Sequence, residues 1–169
     1  MNRDILKYGL QFIVVVLIQV LILNQIDFTS YNLDPYLYII FILLFPVQVN
    51  RSLFIFLCFL LGLTIDMFSN SGGIHATSCL IIGFIRPVIL KFSFGTSYEF
   101  HQLKITQSEL GSRITYFTIL IVIHHLLLFI QDYFSFTYII RILLQTLYSS
   151  IFTLFLIVIS SILLRKRAK

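Results

Sequence analysis

Few side chains in this sequence can do chemistry, and the most informative stand in residues 62–76, Gly-Leu-Thr-Ile-Asp-Met-Phe-Ser-Asn-Ser-Gly-Gly-Ile-His-Ala. Asp66 closes one apolar run and His75 opens the next, with Gly72 and Gly73 in the polar turn between them. A carboxylate at that depth is costly and is a functional-site candidate by default. Three uses are open to Asp66. It can cap the following helix, where the dipole favours an anion. It can pair with a cation on another span or on a partner. It can hold a transported solute or ion. The turn favours capping, which is compatible with pairing. For His75 the plain expectation is polar lining, and the sharper one is a hydrogen bond to Asp66.

His124 and His125 are adjacent, so on a helix they point about 100° apart. That spacing predicts that they do not face one site: one bonds inside the bundle, and the other reaches a neighbouring helix or the outer interface. A pH- or ion-linked role is the alternative. Gln145, Ser149 and Thr153 recur every four residues, a polar stripe that reads as helix–helix contact. Arg86-Pro87 closes an apolar run with a cation. Cys58 and Cys79 sit inside apolar runs and read as small buried side chains rather than a disulfide or a metal site.

Catalytic signatures are missing. The sequence has no His-Glu-x-x-His, no Gly-x-Ser-x-Gly and no glycine-rich phosphate loop. An intramembrane aspartyl protease needs two carboxylates in its spans, and Asp66 alone qualifies. The expectation is a protein that is not an enzyme, with no cofactor and no metal.

The elements that must position these residues are apolar. Of 169 residues, 59% are hydrophobic and 11% charged, and the mean hydropathy is +0.98. A soluble domain of this size cannot bury so much apolar surface, so the class is an all-α polytopic membrane bundle forming a single domain. Six spans are expected, over residues 8–23, 36–49, 53–68, 74–89, 114–130 and 139–164, with a polar segment at 91–113. Span two is short; Asp34-Pro35 would start it, and a re-entrant segment is the alternative. An amphipathic piece is expected near 100–110. The start, with Arg3 and Lys7, resembles a signal peptide without its cleavage site and reads as an uncleaved first span.

The charge pattern orients the bundle. Of the 12 basic residues, all but Arg141 fall on the side of the termini, including the tail at 165–169, a lipid-anchoring cluster. That bias makes this side cytoplasmic. Asp27, Asp34, Asp66 and Asp132 fall on the other side, with Tyr31, Tyr36, Tyr38, Tyr133 and Tyr138 as an interfacial belt. The basic residues flank apolar runs, which argues against a nucleic-acid surface.

Residues 62–66 and 73–76, with the glycine turn between, resemble the signature of the MreD family, the rod shape-determining membrane proteins of bacteria. Residues 83–90, Gly-Phe-Ile-Arg-Pro-Val-Ile-Leu, and 123–129, Ile-His-His-Leu-Leu-Leu-Phe, are similar to spans four and five of one branch of that family. The resemblance covers nearly the whole chain. It implies an inner-membrane subunit of the cell-elongation machinery, with an MreC-like periplasmic scaffold, an MreB-like actin filament and RodA with its transpeptidase as partners. It also implies a bundle similar to the six-helix substrate-binding subunits of energy-coupling-factor vitamin transporters. A solute-binding subunit of that type is therefore the alternative function. On the family reading Gly62, Asp66, Gly72, Gly73 and His75 form a partner-binding or structural clasp.

Overall fold

Five helices long and apolar enough to cross a membrane are found among the described residues, compatible with a multi-pass membrane protein. The structure, a computed structural model, describes residues 2–26, 33–95 and 103–163, with side chains from Leu6 onward. In chain order the helices are α1 (Asn2–Leu21), α2 (Ile39–Leu44), α3 (Arg51–Ser69), α4 (Ile74–Phe94), α5 (Leu110–Tyr133) and α6 (Ile139–Leu163). Single 3-10 turns lie at Leu23–Gln25, Ile105–Gln107 and Phe136–Tyr138. The described residues contain no strand. Helices α3 to α6 pack each against the next, α1 leans on α3, and α2 touches α1, α4 and α5. Asp27, Tyr31, Glu99, His101, the start of the expected amphipathic piece and the basic tail lie outside the described residues, as does the side chain of Arg3.

The expected second span is not a continuous helix. Only Ile39–Leu44 is helical, and this short piece sits in the core, with Tyr38 to Leu43 all almost fully buried. The segment still crosses the bundle, antiparallel to α1. The Pro35 carbonyl meets Gln19, the Phe41 ring meets Phe12 at 5.5 Å, and Phe45 meets Tyr8 at 5.2 Å. Asp34-Pro35 does not start the helix; residues 33–36 are irregular and a turn at 37–38 precedes it. At the other end Phe45 is extended, with ψ 144, because a residue before proline is pushed out of the helical region. Irregular backbone at membrane depth is tolerated only where protein surrounds it, which is why this segment is interior.

Small residues set the closest approach. A Cβ on Gly62 would stand 2.5 Å from Ala76 Cα, and one on Gly83 would stand 2.8 Å from Cys58 Sγ. The backbones of α3 and α4 therefore meet closely, along the small residues Ala76, Cys79 and Gly83 of α4.

Helix α4 runs through Pro87 to Phe94, past its expected end at 89, and Arg86 lies inside it, as the expected span has it, 3% exposed. Arg113 differs from expectation. Helix α5 begins at Leu110, which places Arg113 within it and buried. The Arg113 guanidinium donates to the Thr106 carbonyl at 2.8 Å, and Ile105 is also buried. The polar connection thus folds back onto the bundle.

Candidate functional site

Helix α3 ends in a left-handed turn. Asn70 (φ 53) bonds through its N–H to the Asp66 carbonyl, and Gly72 (φ 69) and Gly73 (φ 99) complete the reversal. Glycine is the residue for such angles. The turn brings the Asp66 side chain under the first turn of α4. One carboxylate oxygen accepts from the His75 N–H at 3.1 Å and from the Ser71 hydroxyl at 2.5 Å. The other accepts from the Ala76 N–H at 2.8 Å. Asp66 thus caps α4 from the preceding helix, satisfying two of the amides a helix start leaves open. The bond to His75 runs to its backbone, not its ring.

The His75 ring turns inward. Its Nδ1 lies 2.7 Å from the Tyr38 hydroxyl, and the same hydroxyl lies 2.9 Å from His124 Nε2. Beside them His125 Nδ1 faces the Ile121 carbonyl at 2.9 Å. A carbonyl only accepts, so His125 carries its proton on Nδ1, and Nε2 accepts from the Thr153 hydroxyl at 3.2 Å. Thr153 in turn accepts from the Tyr36 N–H at 3.2 Å. Both histidines of the pair are fully buried, and the Tyr36 ring contacts His75, His124 and His125. Their bonds go apart as expected, His124 to Tyr38 inside the bundle and His125 to Thr153 on neighbouring α6, but both rings border one cluster around Tyr36. The irregular segment is wedged into the bundle and fills the angle between them. Tyr36 and Tyr38 belong to this cluster and not to an interfacial belt. Below it Ile39, Ile42 and Leu43 are completely buried, so the polar network ends in apolar core.

The other polar residues serve the broken segment. Ser149 accepts from the Asp34 N–H at 2.9 Å, and Gln145 donates to the Asp34 carboxylate at 2.6 Å. Gln19 donates to the Pro35 carbonyl at 3.0 Å. At the far end Arg86 donates to the carbonyls of Leu43 and Phe45 and to the Tyr116 hydroxyl at 2.8 Å. Tyr116 donates to the Leu43 carbonyl at 3.1 Å, and the Phe54 ring lies under the guanidinium at 4.7 Å. Side chains thus replace the hydrogen bonds that a continuous helix would make. The stripe on α6 reads backbone as well as helix, which corrects the simpler expectation. Gln19, Tyr38 and Tyr116 were not singled out as site residues; for Tyr116 the signal was Pro46, which ends the short helix and obliges partners for the carbonyls before it, and for Gln19 and Tyr38 the sequence carried none.

Next to His75 a cavity of about 580 Å³ opens, lined by the ends of α1 and α3, residues 33–36 and α5. Asp34, Tyr36, Phe129 and Asp132 stand in its wall. No group of three or more metal-ligating side chains is present among the described residues.

No known family, no curated protein and no solved structure matches this chain.

Proposed function

We propose that the chain is a non-enzymatic membrane subunit of the bacterial wall-elongation complex, binding an MreC-like periplasmic scaffold and regulating RodA with its transpeptidase, and so supporting cell shape. The observation that carries this reading is the closed clasp at residues 62–76. Both carboxylate oxygens of Asp66 are spent on α4 and Ser71, so the carboxylate builds a corner rather than offering a reactive group. Beside that corner Met67 and Phe68 are 78% and 65% exposed, an apolar surface of the kind a partner's span covers. In this reading the corner faces the periplasm and both termini face the cytoplasm, as the charge bias argues. Residues 91–113 then meet cytoplasmic elements such as an MreB-like filament.

Photocrosslinkers at residues 69–74 test the docking corner. Capture of an MreC-like scaffold is expected, and consistent failure to capture it across the turn overturns the assignment. Asp66→Ala is expected to impair assembly and cell shape. A catalytic turnover lost in that variant would show the protein to be an enzyme instead.

A solute-binding subunit similar to those of vitamin transporters is the second reading, favoured by the cavity beside His75. Native mass spectrometry separates the two: a retained scaffold favours the first, and a stoichiometric small molecule without a scaffold favours the second.

A further inference from the structure

We propose that the cavity beside His75 binds a small organic ammonium compound that also carries an oxygen acceptor, the pattern of an amino alcohol or an ethanolamine headgroup. The inference is independent of which partner the Asp66 corner meets.

At about 580 Å³ the space falls within the roughly 300–1,000 Å³ of small-molecule sites. Among the described residues its wall holds two carboxylates, Asp34 and Asp132, and no lysine or arginine. Asp34 uses one oxygen for Gln145; its other oxygen has no hydrogen bond among the described residues. Asp132 is exposed, and its charge acts on Asp34. Tyr36, Phe68 and Phe129 add aromatic rings to the same wall, and ring faces attract organic cations.

His75 supplies the second, independent observation. It lines the cavity yet is only 4% exposed, and its Nε2 has no partner among the described residues. Its tautomer follows from the far end of the chain of bonds. His124 Nδ1 is buried without a partner. An orphaned N–H costs more than an unfilled lone pair, so His124 carries its proton on Nε2. That proton points to Tyr38, Tyr38 donates to His75 Nδ1, and His75 is left with N–H at Nε2. The His75 ring thus brings a free donor to the wall that also holds the two carboxylates. A metal ion needs the nitrogen lone pair and does not suit this arrangement. A molecule with an ammonium at one end and an oxygen at the other satisfies both.

The test uses the full-length protein, purified in detergent free of phosphatidylethanolamine and, separately, in nanodiscs of phosphatidylethanolamine with phosphatidylglycerol or of phosphatidylcholine with phosphatidylglycerol. Thermal unfolding is followed with added ethanolamine, with n-propylamine, which keeps the ammonium and lacks the oxygen, and with neutral ethylene glycol. Ethanolamine is expected to raise the melting temperature in a saturable way, more than n-propylamine, while ethylene glycol does nothing. Stabilisation by free ethanolamine in detergent identifies a soluble ligand. Stabilisation confined to the phosphatidylethanolamine nanodiscs identifies the headgroup. Asp132→Asn, at an exposed position, should weaken the effect about tenfold or more, the size of one hydrogen bond to a charge. No stabilisation in any arm, equal stabilisation by ethylene glycol, or an unchanged response in Asp132→Asn overturns the proposal.

Discussion

Gly62 stands so close to His75 that any Cβ at position 62 would overlap the His75 carbonyl oxygen. The contact fuses α3, one turn before Asp66, to the capped start of α4. A methyl there must push the two helices apart, and overpacking of this kind costs about 1–3 kcal/mol. Gly62→Ala is therefore expected to lower the melting temperature in detergent. Gly111→Ala, where nothing lies within 4 Å, is the matched control and should leave it unchanged or slightly raised.

The Asp66 cap makes a graded prediction. Asp66→Asn keeps one acceptor for the amides of α4, and Asp66→Ala keeps none. Loss of a cap costs about 0.5–2 kcal/mol. Thermal unfolding should rank wild type above Asn and Asn above Ala. Equal stability of all three would show that the amides of His75 and Ala76 find other partners.

Arg86 and Tyr116 together hold the Leu43 carbonyl, and Arg86 also holds that of Phe45. Tyr116→Phe leaves Leu43 with one donor and should cost about 1 kcal/mol. Arg86→Leu orphans the buried Phe45 carbonyl and leaves that of Leu43 with Tyr116 alone, and should cost more, about 1–3 kcal/mol for the orphaned group. Hydrogen exchange at the amides of residues 39–48 should accelerate in Arg86→Leu if the short helix loosens, whereas protection unchanged from wild type would contradict the bracing role.

Asp34 makes stability depend on pH. Burial raises its carboxyl above the ordinary 3.8, the Gln145 hydrogen bond opposes the shift, and the Asp132 charge adds to it. The folded state then holds the proton to higher pH than the unfolded state. Between the two values unfolding releases a proton, so stability falls as pH rises from 3.8 through the raised value and levels off above it. Asp34→Asn keeps an amide in place and should flatten this slope. A variant with the wild-type slope would assign the titration elsewhere.

Much of this protein was legible in its sequence because hydropathy and turn chemistry are local. The apolar runs predict the long helices: α3 and α6 lie within two residues of their expected bounds, while α1 starts six residues early, α4 ends five residues late and α5 starts four residues early, taking in Arg113. The pairing of Gly72 and Gly73 with Asp66 predicts a capped reversal, and the small residues of α4 predict close approach. The stripe of Gln145, Ser149 and Thr153 was visible, but not what it bonds.

Tertiary structure decided the rest. Residues 36–49 look like a short span because composition counts apolar residues and does not record where backbone hydrogen bonds go. Pro46 ends the short helix and residues 33–38 are irregular before it, so the open backbone groups on both sides need donors and acceptors from α1, α4, α5 and α6. Those partners lie far apart in sequence, as Arg86 and Phe45 or Ser149 and Asp34 do. Helical periodicity sets His124 and His125 about 100° apart; only the wedge of Tyr36 and Tyr38 places both rings in one cluster. The sequence by itself determined an apolar helical bundle with a capped corner at Asp66. Which polar side chains share an interior was left to the packing, because a buried polar group is satisfied by whatever the fold brings within hydrogen-bonding distance, and sequence spacing does not measure that distance.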